Sequence, residues 1–493
     1  MKYLSTRGNW HPALSKEVIR TGMVPKGGLF VPESFPQLSL DHIKTLKGYQ
    51  ETAFYILSKY LSDYTDQELH AIIAESYSSN FTHKDIAPLK KITDDCAILE
   101  LWHGPTAAFK DMALQIMPRL LVHSMASQKD GMTVMILVAT SGDTGKAALE
   151  GFKNVANTRI LCFYPEEGVS LIQKYQMNST DGQNTVVVGV RGNFDDCQTA
   201  VKAAFANEAL REKAEKAGYS FSSANSINWG RLVPQIVYYV WGYKEMEAQG
   251  LLKWGEPMNV AVPTGNFGNI LAAYYAMRMG LPINQFICAS NQNNILTDFI
   301  KSGEYNTKRD FHVTMSPSMD ILISSNLERL IFELLEKDGQ KVSALYDDLK
   351  NKSTFKLTGP ALNQLQQRFY GDFTSEEETQ ATIAKVFKNH HYLLDTHTAV
   401  GYHAVEKYRA QTKDLTPCML TATANPYKFP LAVLGALSDE KLTDDFLAVE
   451  KLHALSSENI HPQLVDIKDK ALLHKRVVSL DELASVIENE LYC

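Results

Sequence analysis

Apolar residues in this 493-residue chain fall into short uninterrupted runs separated by segments of helical length. Residues 133–139 (TVMILVA), 159–164 (RILCFY), 185–190 (TVVVGV) and 259–262 read as strands, as do 286–290 and 418–422. Helices are predicted over residues 146–152, 195–207 and 270–279. Runs that are continuous rather than alternating mark strands covered on both faces, and their alternation with helices implies parallel pairing. The predicted class is α/β, with open, mostly parallel sheets and helices on both faces.

Two regions depart from this rhythm. The first ninety or so residues carry Gly27-Gly28, Pro25, Pro32 and Pro36, then helical patterns from 40 to 77. They predict a mainly helical N-terminal region with its own character. Residues 301–390 are charge-rich and mostly helical, with polar faces such as 327–337, and read as an insertion or covering layer. The expected division is 1–92, then 93–255 with a smaller mobile part at about 125–200, then 256–493.

Composition narrows the class without naming a function. Apolar residues make up 45% and charged residues 21% of the chain, which is ordinary for a globular protein. The net charge of −7 and the lack of a long basic run weigh against nucleic acid or an anionic membrane as partner. Six cysteines, at 96, 162, 197, 288, 418 and 493, form no CxxC pair and read as free thiols. The N-terminal MKYLSTR lacks the apolar core of a signal peptide, and no run is long enough to span a bilayer. A cytoplasmic location and a monomer or homodimer acting on a small molecule are expected.

The chemistry concentrates in four loops. His103-Gly104-Pro105-Thr106-Ala107-Ala108-Phe109-Lys110-Asp111 sets a lysine between an aromatic ring and a carboxylate at a helix start. Desolvation disfavours the ammonium form, and a free amine there can attack a carbonyl; the bland alternative is a surface lysine. Pro263-Thr264-Gly265-Asn266-Phe267-Gly268-Asn269 follows a strand and opens a helix, a cup for phosphate or simply a tight turn. Ser141-Gly142-Asp143-Thr144-Gly145 has the same placement and suits a carboxylate or phosphate. A nucleotide P-loop is rejected there, because Thr140 and Ala147 occupy positions that need Gly and Ser or Thr, and neither loop has GxGxxG spacing. Asn225-Ser226-Ile227-Asn228-Trp229-Gly230-Arg231 gathers amides, a hydroxyl and a guanidinium, either for phosphate or as a helix cap. Thr423 follows the strand at 418–422, ahead of Pro426. One activated lysine beside two anion cups at strand ends points to a phosphorylated carbonyl cofactor, pyridoxal 5'-phosphate.

At this point the chain resembles the threonine synthase family of pyridoxal phosphate enzymes, fold type II. HGPTAAFKD at 103–111, SGDTG at 141–145, NSINWGR at 225–231 and PTGNFGN at 263–269 stand in that family's order. STRG at 5–8, GGLFVPE at 27–33 and DTHTAVG at 395–401 extend the likeness over nearly the whole chain. The resemblance implies conversion of O-phospho-L-homoserine and water to L-threonine and phosphate. It makes Lys110 the cofactor-bound lysine and catalytic base. It assigns Gly265, Asn266, Phe267, Gly268 and Asn269 to the cofactor phosphate and Thr423 to the pyridine nitrogen. Ser141, Gly142, Asp143 and Thr144 would meet the substrate carboxylate; Ser226, Asn228 and Arg231 would meet its phosphate. No metal is implied.

Two residues depart from the family pattern: Asn425 replaces a histidine and Tyr427 an alanine. They keep open a phospho-lyase that yields 2-oxobutyrate, ammonia and phosphate. A binding protein on the same fold is the non-catalytic alternative. His390, His391 and His397 near Asp395 suggest a metal hydrolase, but their spacing matches no zinc signature.

Overall fold

A computed structural model describes residues 1–126, 131–167 and 169–492. Near the N-terminus β1 (Tyr3–Ser5) pairs antiparallel with β2 (Phe30–Pro32). β3 (Leu89–Thr93) and β4 (Cys96–Glu100) form an antiparallel pair. β5 (Thr133–Ala139), β6 (Thr158–Pro165), β7 (Thr185–Val190) and β8 (Tyr219–Ser222) follow, each separated by helix. β9 (Met258–Pro263) and β10 (Ile283–Ser290) come next. β11 (Glu304–Asn306) pairs with β12 (Thr354–Lys356), and β13 (Phe369–Phe373), β14 (Cys418–Ala422) and β15 (Val477–Val478) complete the set.

Two open sheets result. The larger has the order β13-β10-β9-β14-β4-β3 and is parallel apart from β3. The smaller has the order β15-β7-β6-β5-β8 and is parallel throughout. All six strands read from the apolar runs are present, and every residue of β9 and β14 is buried.

The topology adds to the sequence reading. The sheets do not follow the divisions at 93–255 and 256–493: β4 joins the larger sheet, and β15 returns from the C-terminal segment to edge the smaller one. Residues 301–390 are not only a covering layer, since β13 forms an edge of the larger sheet. The first 92 residues are mainly helical but share a core with the rest. Tyr3 and Tyr60 pack on Trp229, with ring centroids 5.1 and 5.6 Å away, and Tyr275 meets Trp229 from another side. Trp229 opens the buried helix Trp229–Ala248, so the N-terminal region is fastened to the element that carries Arg231.

Cys96, Cys162, Cys197, Cys288 and Cys418 are free and buried, and burial pushes their thiols up; Cys493 lies outside the described residues.

Candidate active site

The lysine loop leaves the carboxyl end of β4 and is held from three directions. A Cβ on Gly104 would sit 2.4 Å from that of Asp111, so only glycine lets the loop fold back on its helix. Ala107 takes a left-handed conformation at φ 59°. Phe109 N–H donates to the Thr423 carbonyl at 2.8 Å and Asn425 N–H to the Ala107 carbonyl at 3.0 Å, joining this loop to the end of β14. Asp111 is not the partner of Lys110. Its carboxylate accepts from Thr106 N–H and Oγ1–H, both at 2.8 Å, and burial pushes it up to about 7 against those bonds.

Lys110 Nζ lies 4.3 Å from the centroid of the Phe109 ring. Desolvation, helped by the charges of Arg231 and Lys428 and opposed by Asp143, brings its amine down to about 8. A far larger share of this side chain is free amine near neutrality than for an ordinary lysine.

The turn after β9 is shaped for close approach. A Cβ on Gly265 would lie 2.7 Å from the Ser318 carbonyl oxygen, and Phe267 is left-handed at φ 62°. The helix Gly268–Arg278 starts there and presents the unpaired N–H groups of its first turn. Tyr238 and Tyr239 donate to Asn269 Oδ1 at 2.6 and 2.5 Å, while its buried Nδ2 has no partner among the described residues.

After β5, Gly142 adopts φ 137°, and a Cβ there would meet the Gln173 side chain at 2.5 Å. Thr140 Oγ1 accepts from Gly142 and Gly145 N–H and pins the turn. Ser141 and Thr144 line the cavity. Asp143 also faces it, but its carboxylate lies 2.7 Å from Lys428 Nζ and accepts from Gln173 Nε2 at 2.8 Å. Burial alone would raise this carboxyl; Lys428, Gln173 and Lys110 outweigh burial and hold it down. It is an anion held in place by Lys428 and Gln173.

In the fourth loop Arg231 is buried, with Nη1 bonded to the Ala224 carbonyl at 2.5 Å and Nε without a partner among the described residues. Burial lowers it to about 10, so it remains cationic near neutrality. Ser226 lines the cavity beside it. Asn228 does not. Its Nδ2 donates to the carbonyls of Ile19 and Ser223, and its Oδ1 caps the helix through Gly230 N–H. It fastens the loop, and both hydrogens of its amide are taken by these carbonyls.

The structure therefore brings Lys110, Ser141, Asp143, Thr144, Ser226, Arg231, the Gly265–Asn269 turn and Thr423 to one cavity at the carboxyl ends of strands from both sheets. Gly142 and Asn228 stand outside its lining. Asn425 and Tyr427 also stand outside. Asn425 Oδ1 caps Tyr427 N–H, and the Tyr427 hydroxyl reaches the Glu458 carbonyl at 2.7 Å. Sequence reasoning missed Lys428, which also donates to the Thr106 carbonyl at 2.9 Å. His397, read in the sequence only as part of the DTHTAVG motif and as a loop histidine, accepts at Nε2 from Ser318 N–H at 3.1 Å while Nδ1 faces Asp395 at 3.0 Å. His390 and His391 are exposed and do not join it.

Comparison with known proteins agrees with this geometry. Profiles described as threonine synthase N terminus, pyridoxal-phosphate dependent enzyme, and threonine synthase C-terminal match residues 2–77, 90–421 and 398–486. Threonine synthase of Pseudomonas aeruginosa is 40% identical over 440 residues, 88% of this chain and 90% of that one. The chain belongs to the threonine synthase family. A pyridoxal phosphate-bound threonine synthase from Brucella melitensis superposes with a TM-score of 0.88 at 35% identity, covering 100% of both chains. Human threonine synthase-like 1 is 40% identical over 94% of this chain, which spans 64% of that protein's length. Within the threonine synthase family fold, no helix among the described residues is long and apolar enough to cross a membrane.

Proposed function

We propose that this protein is a threonine synthase, taking O-phospho-L-homoserine and water to L-threonine and inorganic phosphate. The observation that carries the reading is one amine of depressed basicity, Lys110, in a cavity also lined by the Gly265–Asn269 turn and by Ser226 and Arg231. The residues present fit pyridoxal 5'-phosphate. Gly265 leaves room where a Cβ would collide, Asn269 Nδ2 has no partner among the described residues, and the turn ends on a helix N-terminus. Gly265–Asn269 would hold its phosphate, Thr423 its ring nitrogen and Lys110 its aldehyde carbon. When bound, the cofactor supplies the electron sink that lets the substrate's α-hydrogen leave as a proton.

The chain's own groups do the rest. Lys110 Nζ, basic enough at about 8 to take a proton and weak enough to return it, moves protons on the substrate. Ser141 and Thr144 hold the substrate carboxylate. Arg231 and Ser226 receive the phosphate, and a buried guanidinium gains most as charge develops on the departing group. The Asp143–Lys428 pair keeps a fixed negative charge facing Lys110.

Product analysis with phosphohomoserine and the loaded protein tests the proposal. Threonine and phosphate in equal amounts are expected; 2-oxobutyrate and ammonia in place of threonine would overturn it. Lys110→Ala is expected to lower turnover by about 10²–10⁴-fold or more. Borohydride reduction should leave a pyridoxyl group on the Lys110 peptide, read by mass spectrometry.

A further inference from the structure

Arg329, fully buried in the helix Leu327–Leu334, points its donors at fixed acceptors. Nε donates to the Phe30 carbonyl at 2.8 Å, Nη2 to the Ile227 carbonyl at 2.6 Å and Nη1 to Asn326 Oδ1. Arginine has no acceptor, so it dictates which way the Asn326 amide faces. Asn326 Nδ2 then donates to the Asn266 carbonyl at 2.9 Å and to Ser226 Oγ at 3.1 Å. The Asn266 carbonyl only accepts, which fixes the same orientation independently. With Nδ2 donating into Ser226 Oγ, the Ser226 hydroxyl hydrogen is left to point elsewhere. Ser226 lines the cavity, on the loop that carries Arg231.

We propose that Asn326, oriented by Arg329, is a positioning residue that fixes Ser226 as a hydrogen-bond donor to the phosphate of the substrate. The inference deepens the threonine synthase reading and rests on it. A hydroxyl free to rotate serves donors and acceptors alike; one that already receives a bond selects a ligand rich in acceptors, such as a phosphate dianion. The same amide holds the Asn266 carbonyl, in the turn assigned to the cofactor phosphate. One side chain thereby sets the spacing between the two anion sites.

Asn326→Asp keeps the size and reverses the polarity, because its carboxylate accepts the Ser226 proton. The readouts are the affinity of pyridoxal phosphate-loaded protein for inorganic phosphate, by titration calorimetry, and the KM and kcat for phosphohomoserine. Phosphate affinity and KM are expected to worsen together by roughly 10- to 100-fold in Asn326→Asp and in Ser226→Ala. In the double variant the loss should exceed that of Ser226→Ala by at most about threefold. Asn326→Ala, which introduces no charge, gives a smaller loss of roughly 3- to 10-fold, again absent in the Ser226→Ala background. Unchanged phosphate affinity in Asn326→Asp overturns the proposal, as does an equal loss with and without Ser226. Phosphate affinity that follows this pattern in a protein that makes no threonine upholds the donor assignment and removes the reading beneath it.

Discussion

Lys110 shows how much a single residue owes to its surroundings. Burial, Arg231 and Lys428 lower its amine to about 8, and the charge of Asp143 limits the fall. The reactive form is the unprotonated amine, so attachment of pyridoxal phosphate to the apo protein should speed up about tenfold per pH unit below 8 and level off above it. Stopped-flow absorbance across pH 6.5–9.5 measures this, and a rate still climbing steeply at 9.5 would contradict the lowered value. The lysine and both glycine turns were legible in the sequence because each motif is contiguous. Lys428, Asn326, Arg329 and His397 were not. Each makes a contact that only the folded chain brings together, as Lys428 does with Asp143, Arg329 with Phe30, Asn326 with Ser226 and His397 with Ser318. Asn228 was ambiguous for the opposite reason: a helix cap and a phosphate ligand call for the same residue types.

At the scale of elements, the turns after β5 and β9 are held by contacts that glycine alone permits. Gly265→Ala drives a Cβ into the Ser318 backbone and should weaken cofactor binding by roughly tenfold or more. Gly435→Ala, with nothing within 4 Å of the added carbon, is the matched control and should bind normally. The Lys428–Asp143 pair joins the end of β14 to the turn after β5, with both side chains buried. Lys428→Met leaves a buried carboxylate without its cation and should cost about 3–5 kcal/mol; adding Asp143→Asn should restore part of it. Thermal unfolding of both variants decides, and a double variant less stable than the single one would contradict the pairing. Strands with continuous apolar runs were readable; β8 and β13 were not. β8 (YSFS) is a half-exposed edge, and β13 (FYGDF) carries an aspartate and a glycine, where a Cβ on Gly371 would come within 3.1 Å of the Thr297 backbone.

The whole molecule is less divisible than its sequence suggests. Trp229 lies between Tyr3, Tyr60 and Tyr275, and Arg7 grips Glu328 through Nε and Nη2, both at 3.0 Å. Residues 93–493 expressed without the N-terminal region should therefore expose core surface and aggregate, as size-exclusion chromatography would show; a monodisperse, cofactor-binding fragment would contradict the shared core.

β15 has a consequence during synthesis. The outer edge of β7 is closed only when Gly189 and Arg191 N–H groups find the carbonyls of Arg476 and Val478. On the ribosome those partners emerge about 290 residues after β7, a delay of roughly 15–60 s at ordinary elongation rates. Throughout that interval the nascent chain carries a bare strand edge able to recruit a neighbour. Chaperone attendance on the half-made polypeptide should accordingly last until the C-terminal segment appears.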